Sequence, residues 1–417
     1  MAGERERSRY RGGTMYGWSG GLNNRQTDYD LTSDELRDGV NVDILLSGKL
    51  RRRRGLSQAF ADPGAHSLYS DGSRFYWATA TALKKATPDF VVQTLLTNTA
   101  LAAPLSFAGL NNTTYFSNEA INGAIVNGAY VPWGIAPPTA PPTVSGAALG
   151  TLYYHVTCTF VTATGEESGA PASSVALSDD TEVLNLSGIP QPTDARVTAV
   201  RVYVSYKGDV ELYHHIDLPV GMTGTTIRGP FGQGQLLRTQ FHAPPPAGQL
   251  IERYYGYMLI ASGSVLYYTA PFTANLVDMR KGYMAFPERI TMVMAVNDGF
   301  YVSADQTYFV AGFGTPGMAL NPVLPYRAIE RAAVHVPNSN DVVWLSERGF
   351  VLGAASAGAK NLSEGKIVVE KATGGCLGVV ERDGDKRFIA VVADGTSPPL
   401  VSSDFLTARQ DQIDEVR

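Results

Sequence analysis

The feature that most constrains this chain is its supply of tight-turn pairs between short runs of strand-forming residues. Asp-Gly and Asn-Gly pairs favour two-residue hairpin turns, because both central positions of such a turn need a positive φ. Seven pairs occur, at Asp38-Gly39, Asp71-Gly72, Asn122-Gly123, Asn127-Gly128, Asp298-Gly299, Asp383-Gly384 and Asp394-Gly395. Aromatic or β-branched runs, which prefer strands, often flank them. The pattern predicts an all-β chain of antiparallel meanders.

The strand-forming runs recur at a nearly constant interval. Six of them are centred on Tyr76, Tyr115, Tyr267, Tyr308, Trp344 and Ile389. The gaps between neighbours within each half of the chain are 36–45 residues. A period near ~40 residues with several strands per unit is typical of β-propeller blades. We therefore expect a β-propeller-like domain of about six or seven blades, closed by strands from the two chain ends that share a sheet.

A segment between two proline-rich linkers interrupts this rhythm. The linkers are 136–142 and 243–248, and proline-rich linkers are stiff spacers that often mark domain boundaries. Between them the alternating strands suit a seven-stranded sandwich. This stretch also resembles fibronectin type III modules, at residues 153–157, 165–168 and 200–204.

These patterns predict five parts of the chain. They are an N-terminal arm (1–20), a first propeller part (21–135), an inserted β-sandwich (136–245), a second propeller part (246–410) and a C-terminal tail (411–417). The insert divides the propeller sequence into two separated pieces. We expect both pieces to contribute blades to one domain.

The charge is distributed unevenly along the chain. The net charge is −5, with +3 on residues 1–55 and −8 on residues 56–417. The strongest local feature is the basic run Arg51, Arg52, Arg53 and Arg54. Two interpretations fit this run: a solvated strand edge whose side chains alternate in facing, or a contact for an acidic partner or a phosphate backbone.

The cysteines and the N-terminal residues indicate the cell compartment in which the protein folds. Cys158 and Cys376 fall in different predicted domains, so we expect no disulfide. The N-terminal residues lack the apolar stretch of a secretory signal, and no uncharged apolar run approaches the ~20 residues of a membrane-spanning helix. We expect a protein that folds in a reducing cytoplasm and has no membrane segment.

Two stretches resemble proteins of bacteriophage tails. The first has Asn41 and Asp43 on one strand, followed by the basic strand that ends at Gly55. It resembles the opening strand pair of tail proteins of bacterial viruses. The second is similar to the propeller of the tail nozzle (tail tubular protein B, or hub) of short-tailed phages. Its matching residues are Arg253, Gly256 (placed by the motif in a strand), Ser262, Gly263, Ser303 and Asp305.

This resemblance implies a virion structural protein. It implies a homohexameric ring below the portal and adaptor rings that lines the DNA ejection channel, with double-stranded DNA passing without sequence recognition. Tail fibres would be anchored on it, and assembly would take place in the bacterial host cytoplasm. It implies neither a cofactor nor an enzymatic activity. Arg51–Arg54 would then dock on an acidic adaptor surface, and the −8 on residues 56–417 suits an acidic channel wall that repels phosphate.

A glycine-rich motif and a histidine pair resemble ligand-binding patterns, but both lack features that such sites need. Residues 312–317 match G-x-G-x-x-G, but Pro316 and the prolines that follow exclude the helix that a dinucleotide site needs. The pair His214-His215 has no further ligand at metal-binding spacing. Neighbours in a strand face opposite sides, so both could ligate one ion only with a bulge. We predict an interstrand loop and strand histidines, and no metal.

A carbohydrate-active or carbohydrate-binding β-propeller is the alternative function. Residues 70–77 come close to the hairpin motif of sialidase-like propellers but have a different spacing. Glycosidases need two carboxylates ~5–10 Å apart. The acidic pairs Glu166-Glu167 and Asp179-Asp180 are expected on loops as solvated charges. The sequence thus indicates no catalytic residue, and a generic protein-interaction propeller is the third possibility.

Overall fold

The structure is a computed structural model that describes residues 17–393 except 28, 40–41, 46, 53–59, 147–149, 180–181, 370–371 and 383–384. In this part the chain is all-β, with 35 strands and one short 3-10 turn at Thr99–Ala102. Its recurrent four-stranded antiparallel meanders are β-propeller-like, which confirms the predicted fold class. Most of the predicted arm (1–16) and all of the predicted tail (411–417) lie outside the described residues. No helix in the described part is long and apolar enough to cross a bilayer.

The chain divides into two compact units. The first comprises the described residues of Met1–Gly64, Ala328–Ala354 and Gly358–Arg417, and the second those of Ala65–Arg327 and Ala355–Ala357. The first unit begins with β1 (Gly21–Leu22), β2 (Glu35–Leu36), β3 (Val42–Ile44) and β4 (Leu50–Arg52). β1 and β2 pair in parallel, and β3 and β4 pair antiparallel with Asp43 opposite Arg51.

The second unit begins with two four-stranded meanders. The first contains β5 (His66–Ser70), β6 (Phe75–Ala78), β7 (Ala82–Ala86) and β8 (Val92–Thr97). The second contains β9 (Ser106–Leu110), β10 (Thr113–Ser117), β11 (Asn122–Val126) and β12 (Ala129–Val131). In both, neighbouring strands follow chain order. Large apolar side chains such as Tyr76, Leu83 and Phe116 form a core shared by the two sheets.

The turn residues only partly follow the predicted pattern. Asn127 and Gly128 have φ values of 50° and 76° and connect β11 to β12, as predicted. Asn122-Gly123, predicted as a turn, instead lies in β11. A Cβ on Gly123 would lie 2.6 Å from both the Phe116 and the Tyr130 ring. This glycine therefore makes room for two aromatic rings inside the sheet.

The inserted segment contains seven strands in two sheets. They are β13 (Thr143–Gly146), β14 (Leu152–Thr162), β15 (Ser174–Ser178), β16 (Val183–Ser187), β17 (Val197–Ser205), β18 (Leu212–Pro219) and β19 (Gly224–Arg228). One sheet has the order β13-β16-β19 and the other β15-β14-β17-β18. Side chains of both sheets, including Tyr154, Leu184 and Val200, share one core. The predicted boundaries and the likeness to fibronectin type III modules stay predictions.

Two further four-stranded meanders and one two-stranded sheet complete the second unit. Their strands are β20 (His242–Ala243), β21 (Leu250–Tyr254), β22 (Tyr257–Ser262), β23 (Val265–Tyr268), β24 (Val277–Asp278), β25 (Tyr283–Ala285), β26 (Met292–Val296), β27 (Gly299–Ser303), β28 (Thr307–Ala311) and β29 (Ala319–Leu324). The sheets have the orders β21-β22-β23-β25 and β26-β27-β28-β29, while β20 pairs with β24. Aromatic and aliphatic residues such as Tyr254, Phe300 and Phe313 fill their shared core.

The first unit closes with a meander and a hairpin. Its later strands are β30 (Ala328–His335), β31 (Val342–Ser346), β32 (Gly349–Gly353), β33 (Ala359–Asn361), β34 (Gly374–Arg382) and β35 (Asp385–Ala393). β30 to β33 form one sheet and β34 pairs with β35. The described residues thus contain five four-stranded meanders outside the insert, against the six or seven blades expected.

The N-terminal and C-terminal parts of the first unit meet through side chains. The Asn24 amide exchanges hydrogen bonds with the backbone of Val368, at 3.0 and 3.2 Å. Lys366 Nζ lies 3.2 Å from Glu35 Oε1, and Arg387 Nη1 lies 2.7 Å from Asp43 Oδ2. The expected meeting of the chain ends is therefore made by hydrogen bonds and ion pairs, whereas the described strands of the two ends lie in separate sheets.

Candidate functional site

A connected group of charged side chains lies on the outer face of the four-stranded sheet of the insert. Alternate residues of β14 and β17, such as Cys158 and Val202, enter the core. The residues between them therefore point to the opposite face. There Thr159, Arg201 and Tyr203 are polar, and a loop that carries Glu166 and Glu167 covers them.

Glu167 joins this loop to the sheet. Its Oε1 accepts hydrogen bonds from Thr159 Oγ1 and from the Tyr203 hydroxyl, each at 2.6 Å. Its Oε2 accepts from Arg201 Nη1 at 3.0 Å. Burial raises the pKa of the Tyr203 hydroxyl, and the hydrogen bond to Glu167 raises it further. The tyrosine therefore acts as a hydrogen-bond donor here.

Arg201 extends the network across the sheet to β18. Its Nε and Nη2 donate to the two carboxylate oxygens of Asp217 at 2.8 and 2.9 Å. Such a bidentate pair is among the stronger charge-assisted contacts. The hydrogen bond from Arg201 holds the pKa of Asp217 below its ordinary value.

The predicted strand histidines lie beside this pair, and a bulge separates them. β17 pairs Val202 with Ile216 and Tyr203 with His214, so His215 is the extra residue. His214 Nε2 lies 3.0 Å from Asp217 Oδ1, whereas the His215 ring packs edge-on against Phe231. Burial lowers the pKa of His215, and the neighbouring His214 adds to this shift. Within the described residues, no group of three or more His, Cys, Asp or Glu side chains is placed to hold a metal ion.

Glu166 joins the insert to the meanders. Its Oε1 accepts from Asn275 Nδ2 at 2.8 Å, and its Oε2 lies 3.4 Å from Arg196 Nη1. Arg196 also donates to the carbonyl of Gly134 at 2.8 Å and to Asp194 at 2.7 Å. Burial raises the pKa of the Glu166 carboxyl, although Arg196 acts in the opposite direction.

A second contact lies on the same meander segment. His242 and Ala243 at the end of the insert pair with Asp278 and Val277. The Arg280 guanidinium lies 4.5 Å from the centre of the Phe241 ring, within the range of a cation–π contact. We call the two contacts, at Glu166–Asn275 and at Phe241–Arg280, the insert root. They attach the insert to residues 275–280.

Glu166 and Glu167 lie on a loop, as predicted, but the expectation of solvated charges was wrong, because both carboxylates are hydrogen-bonded and partly buried. Side-chain exposure is 22% for Glu166 and 23% for Glu167. The sequence carried one signal of this network: strands β14 and β17 have polar or charged residues at alternate positions and apolar residues between them. Each carboxylate already accepts hydrogen bonds from an arginine and from a neutral donor. The cluster therefore connects structural elements and leaves neither carboxylate free for a ligand.

The meander residues that carry the resemblance lie at turns. The Ser262-Gly263 corner is held by the buried Gln249 amide, which donates to Gly263 O and accepts from Gly263 N, both at 2.9 Å. Ser303 is fully buried at the end of β27, and Asp305 accepts from the Tyr308 hydroxyl at 3.0 Å.

The β21–β22 corner departs from the expected motif in one position. Gly256 lies in the turn between β21 and β22, not in a strand, and its carbonyl accepts from Phe272 N at 2.8 Å. The Phe272 ring packs against Gly256, with ring atoms 3.0 Å from where a Cβ would lie, so a larger residue would press on this ring. Arg253 is exposed on β21.

The predicted docking run is only partly described. Arg51 and Arg52 end β4, where Arg52 is exposed and Arg51 is half-buried opposite Asp43. The side chains of Arg51 and Arg52 face opposite sides of the strand, as the strand-edge interpretation of this run expects. Arg53 and Arg54 lie outside the described residues, as do Asn41 and Gly55. Asp43 pairs with Arg387, so this residue of the resemblance joins the two ends of the first unit.

The glycine-rich match is an interstrand loop, as predicted. Residues 312–317 connect β28 to β29, and Gly312 and Gly314 have φ values of 61° and 78°. Phe313 in this loop is buried among Tyr254, Tyr257 and Phe300. The loop therefore closes a hydrophobic core.

Comparison with known proteins finds weak structural similarity. No family model matches the chain, and no curated protein matches it. Among solved structures, the Pan2 WD40 domain of Neurospora crassa has 10% sequence identity and a TM-score of 0.31, with 71% of this chain and 78% of that one covered. BBS1N, solved in complex with ARL6DN, has 14% identity and a TM-score of 0.31, with 82% and 92% covered. Likenesses of this size carry no argument about function.

Proposed function

We propose that the chain is a virion structural protein of a short-tailed bacteriophage, a nozzle or hub subunit. Six copies form a ring below the adaptor, line the channel through which double-stranded DNA leaves, and anchor tail fibres. The protein is assembled in the host cytoplasm and breaks no bond. The resemblance of its tail-like stretches is the origin of this proposal.

The main support for this proposal is that charged side chains connect separate parts of the fold. Glu167, Arg201 and Asp217 fasten a loop and a strand to one sheet. Glu166 and Arg196 fasten the insert to the meanders. Charged side chains that satisfy one another hold modules in fixed positions, which is what a load-carrying ring subunit needs.

The residues behind the resemblance support the same role. Ser262, Gly263 and Ser303 lie at strand corners, and Asp43 pairs with an arginine of the C-terminal hairpin. Each contributes to the shape of a meander or to the junction of the chain ends. These residues therefore have a structural role.

The charge counts of the meander segments favour a nearly neutral channel wall over the acidic wall expected from the −8 on residues 56–417. The meander segments 65–135 and 246–361 hold eleven acidic and eleven basic residues, whereas the insert, 136–245, holds nine and five. A channel lined by the meanders is therefore close to neutral overall. Such a wall releases few counterions from DNA and lets the duplex slide.

Imaging of the purified full-length chain tests the proposal. We expect six-fold rings in negative stain when the chain is added to the portal–adaptor complex of the phage that encodes it. Release of reducing sugars from bacterial surface polysaccharide is measured on the same sample. A chain that stays monomeric with the complex present would contradict the proposal, and sugar release by that monomer would favour the carbohydrate-active alternative.

A further inference from the structure

An apolar strip is exposed on the outer face of the insert. It consists of Tyr153, Val175 and Leu177, whose exposures are 39%, 52% and 60%. Single exposed apolar residues are common on protein surfaces, but contiguous groups of them mark interaction sites. We call these three residues the insert strip.

The members of the insert strip are neighbours in the sheet. Tyr153 of β14 lies opposite Leu177 of the edge strand β15, and His155 lies opposite Val175. Ala176, between the two exposed residues, points the other way into the core. The Tyr153 hydroxyl donates to the carbonyl of Gly208, which fixes the loop of Tyr206 and Val210 beside the strand. The insert root holds this surface in place relative to the meanders.

The surroundings of the insert strip are acidic. The described segments that form and flank it, 152–156, 174–179 and 206–211, contain Asp179, Asp209 and Glu211 but only one basic residue, Lys207. Arg196 and Arg201, elsewhere in the insert, are already paired with carboxylates. The strip therefore suits an apolar surface flanked by positive charge.

The same chain carries such a surface on β4. Leu50 is 39% exposed, and Arg52, two residues further along the strand, is exposed on the same face. Residues 1–55 carry a net charge of +3. A leucine and an arginine on one strand face complement an apolar strip with an acidic rim in both polarity and charge.

We infer that the exposed face of β4 in one copy docks on the insert strip of the next copy around the ring. This inference rests on the proposed function, because a cyclic ring needs a head-to-tail interface made of two different surfaces. It assigns the basic strand to a neighbouring copy of this chain instead of the adaptor. Leu50 then packs on Leu177 and Val175, and Arg52 lies near Asp209 and Glu211.

Cysteine cross-linking between separately labelled chains tests the contact. Both chains carry Cys376→Ser, since Cys376 is exposed and Cys158 is buried. One chain carries Arg52→Cys and the other Leu177→Cys, and they are mixed in assembled rings and treated with a short bismaleimide. We expect a cross-linked dimer in the mixture and in neither chain alone. The matched control is Leu68→Cys in place of Leu177→Cys, because Leu68 is 76% exposed on a meander and gives no product.

A second variant measures the contribution of the strip to assembly. We expect Leu177→Lys to reduce the fraction of chains in rings by about tenfold, while Leu68→Lys leaves it unchanged. Leu177 is already exposed, so its substitution leaves the fold intact. Rings that form without the cross-link and tolerate Leu177→Lys would overturn this inference and leave the proposed function standing. Failure of the parent chain to form rings, with or without the adaptor, would overturn both.

Discussion

The insert and the meanders of the second unit contain polar centres of different kinds. In the insert, the partly buried Glu167 and Arg201 are charged and form a network with Tyr203 and Asp217. In the meanders, the carboxylate of Asp278 pairs with Arg280, but the side chain with the most hydrogen bonds to buried main-chain groups is a neutral amide. Asn118 donates to the carbonyls of Ala100 and Ala103 at 2.8 and 3.1 Å and accepts from two backbone amides at 2.9 Å.

This difference has consequences for stability. A neutral amide has the same hydrogen bonds at every ordinary pH and at every salt concentration. A charged network gains and loses protons, and its exposed members are screened by salt. The hydrogen bonds around Asn118 should therefore be insensitive to pH over a range in which the insert is sensitive.

The largest effect is expected for Asn118→Ala. The substitution removes four hydrogen bonds from main-chain groups around a buried side chain, and we expect a loss of about 3 kcal/mol in the free energy of local unfolding. Hydrogen exchange of peptides from β10 and β11 measures it, at pH 7 and again at pH 6. The loss should be the same at both values. The matched control is Asn321→Ala on the exposed face of β29, which should change stability by less than about 0.5 kcal/mol.

An intermediate effect is expected for Glu167→Gln. The glutamine keeps the shape but removes the charge that Arg201 and Tyr203 contact, so we expect the insert to lose about 2 kcal/mol. Hydrogen exchange of β14 and β17 reports it. Glu119→Gln is the control, because Glu119 pairs with Arg289 on side chains that are 56% and 44% exposed, and exposed pairs contribute about 0–1 kcal/mol. Equal losses in the two variants would contradict the difference between the regions.

The smallest effect concerns pH and His215. Its pKa in the folded chain is lowered from 6.5, so the folded state favours the neutral ring. That contribution is present above the unfolded pKa and is lost as the pH falls through the folded pKa. We expect the insert to lose protection from exchange as the pH falls below about 6.5. His215→Gln should reduce the loss, and peptides from β10 and β11 should show none after correction for intrinsic exchange rates. An unchanged pH profile in the variant would exclude His215 as the source.

Much of the local structure follows from the sequence. Tyr76, Tyr115 and Trp344, which mark the predicted runs, lie in β6, β10 and β31, and Asn127-Gly128 forms a hairpin turn. Asn122-Gly123 shows the limit of such reasoning. Its composition suits a turn, but its position between two aromatic rings places it in a strand. The packing of these two rings therefore overrides the local turn preference of the Asn-Gly pair.

The sequence alone determined the central strands of the recurring runs and the Asn127-Gly128 turn, since side-chain alternation and positive φ are properties of residues close together in the chain. Tertiary structure decided which charges are buried and what they contact. Glu167 meets Arg201 and Tyr203 from 34 and 36 residues away, and Glu166 meets Asn275 from 109 residues away. Such contacts depend on which sheet face a loop covers, and no periodicity in the chain encodes that. This is why two acidic residues that were expected to be solvated form internal contacts, Glu167 within the insert and Glu166 between the insert and the meanders.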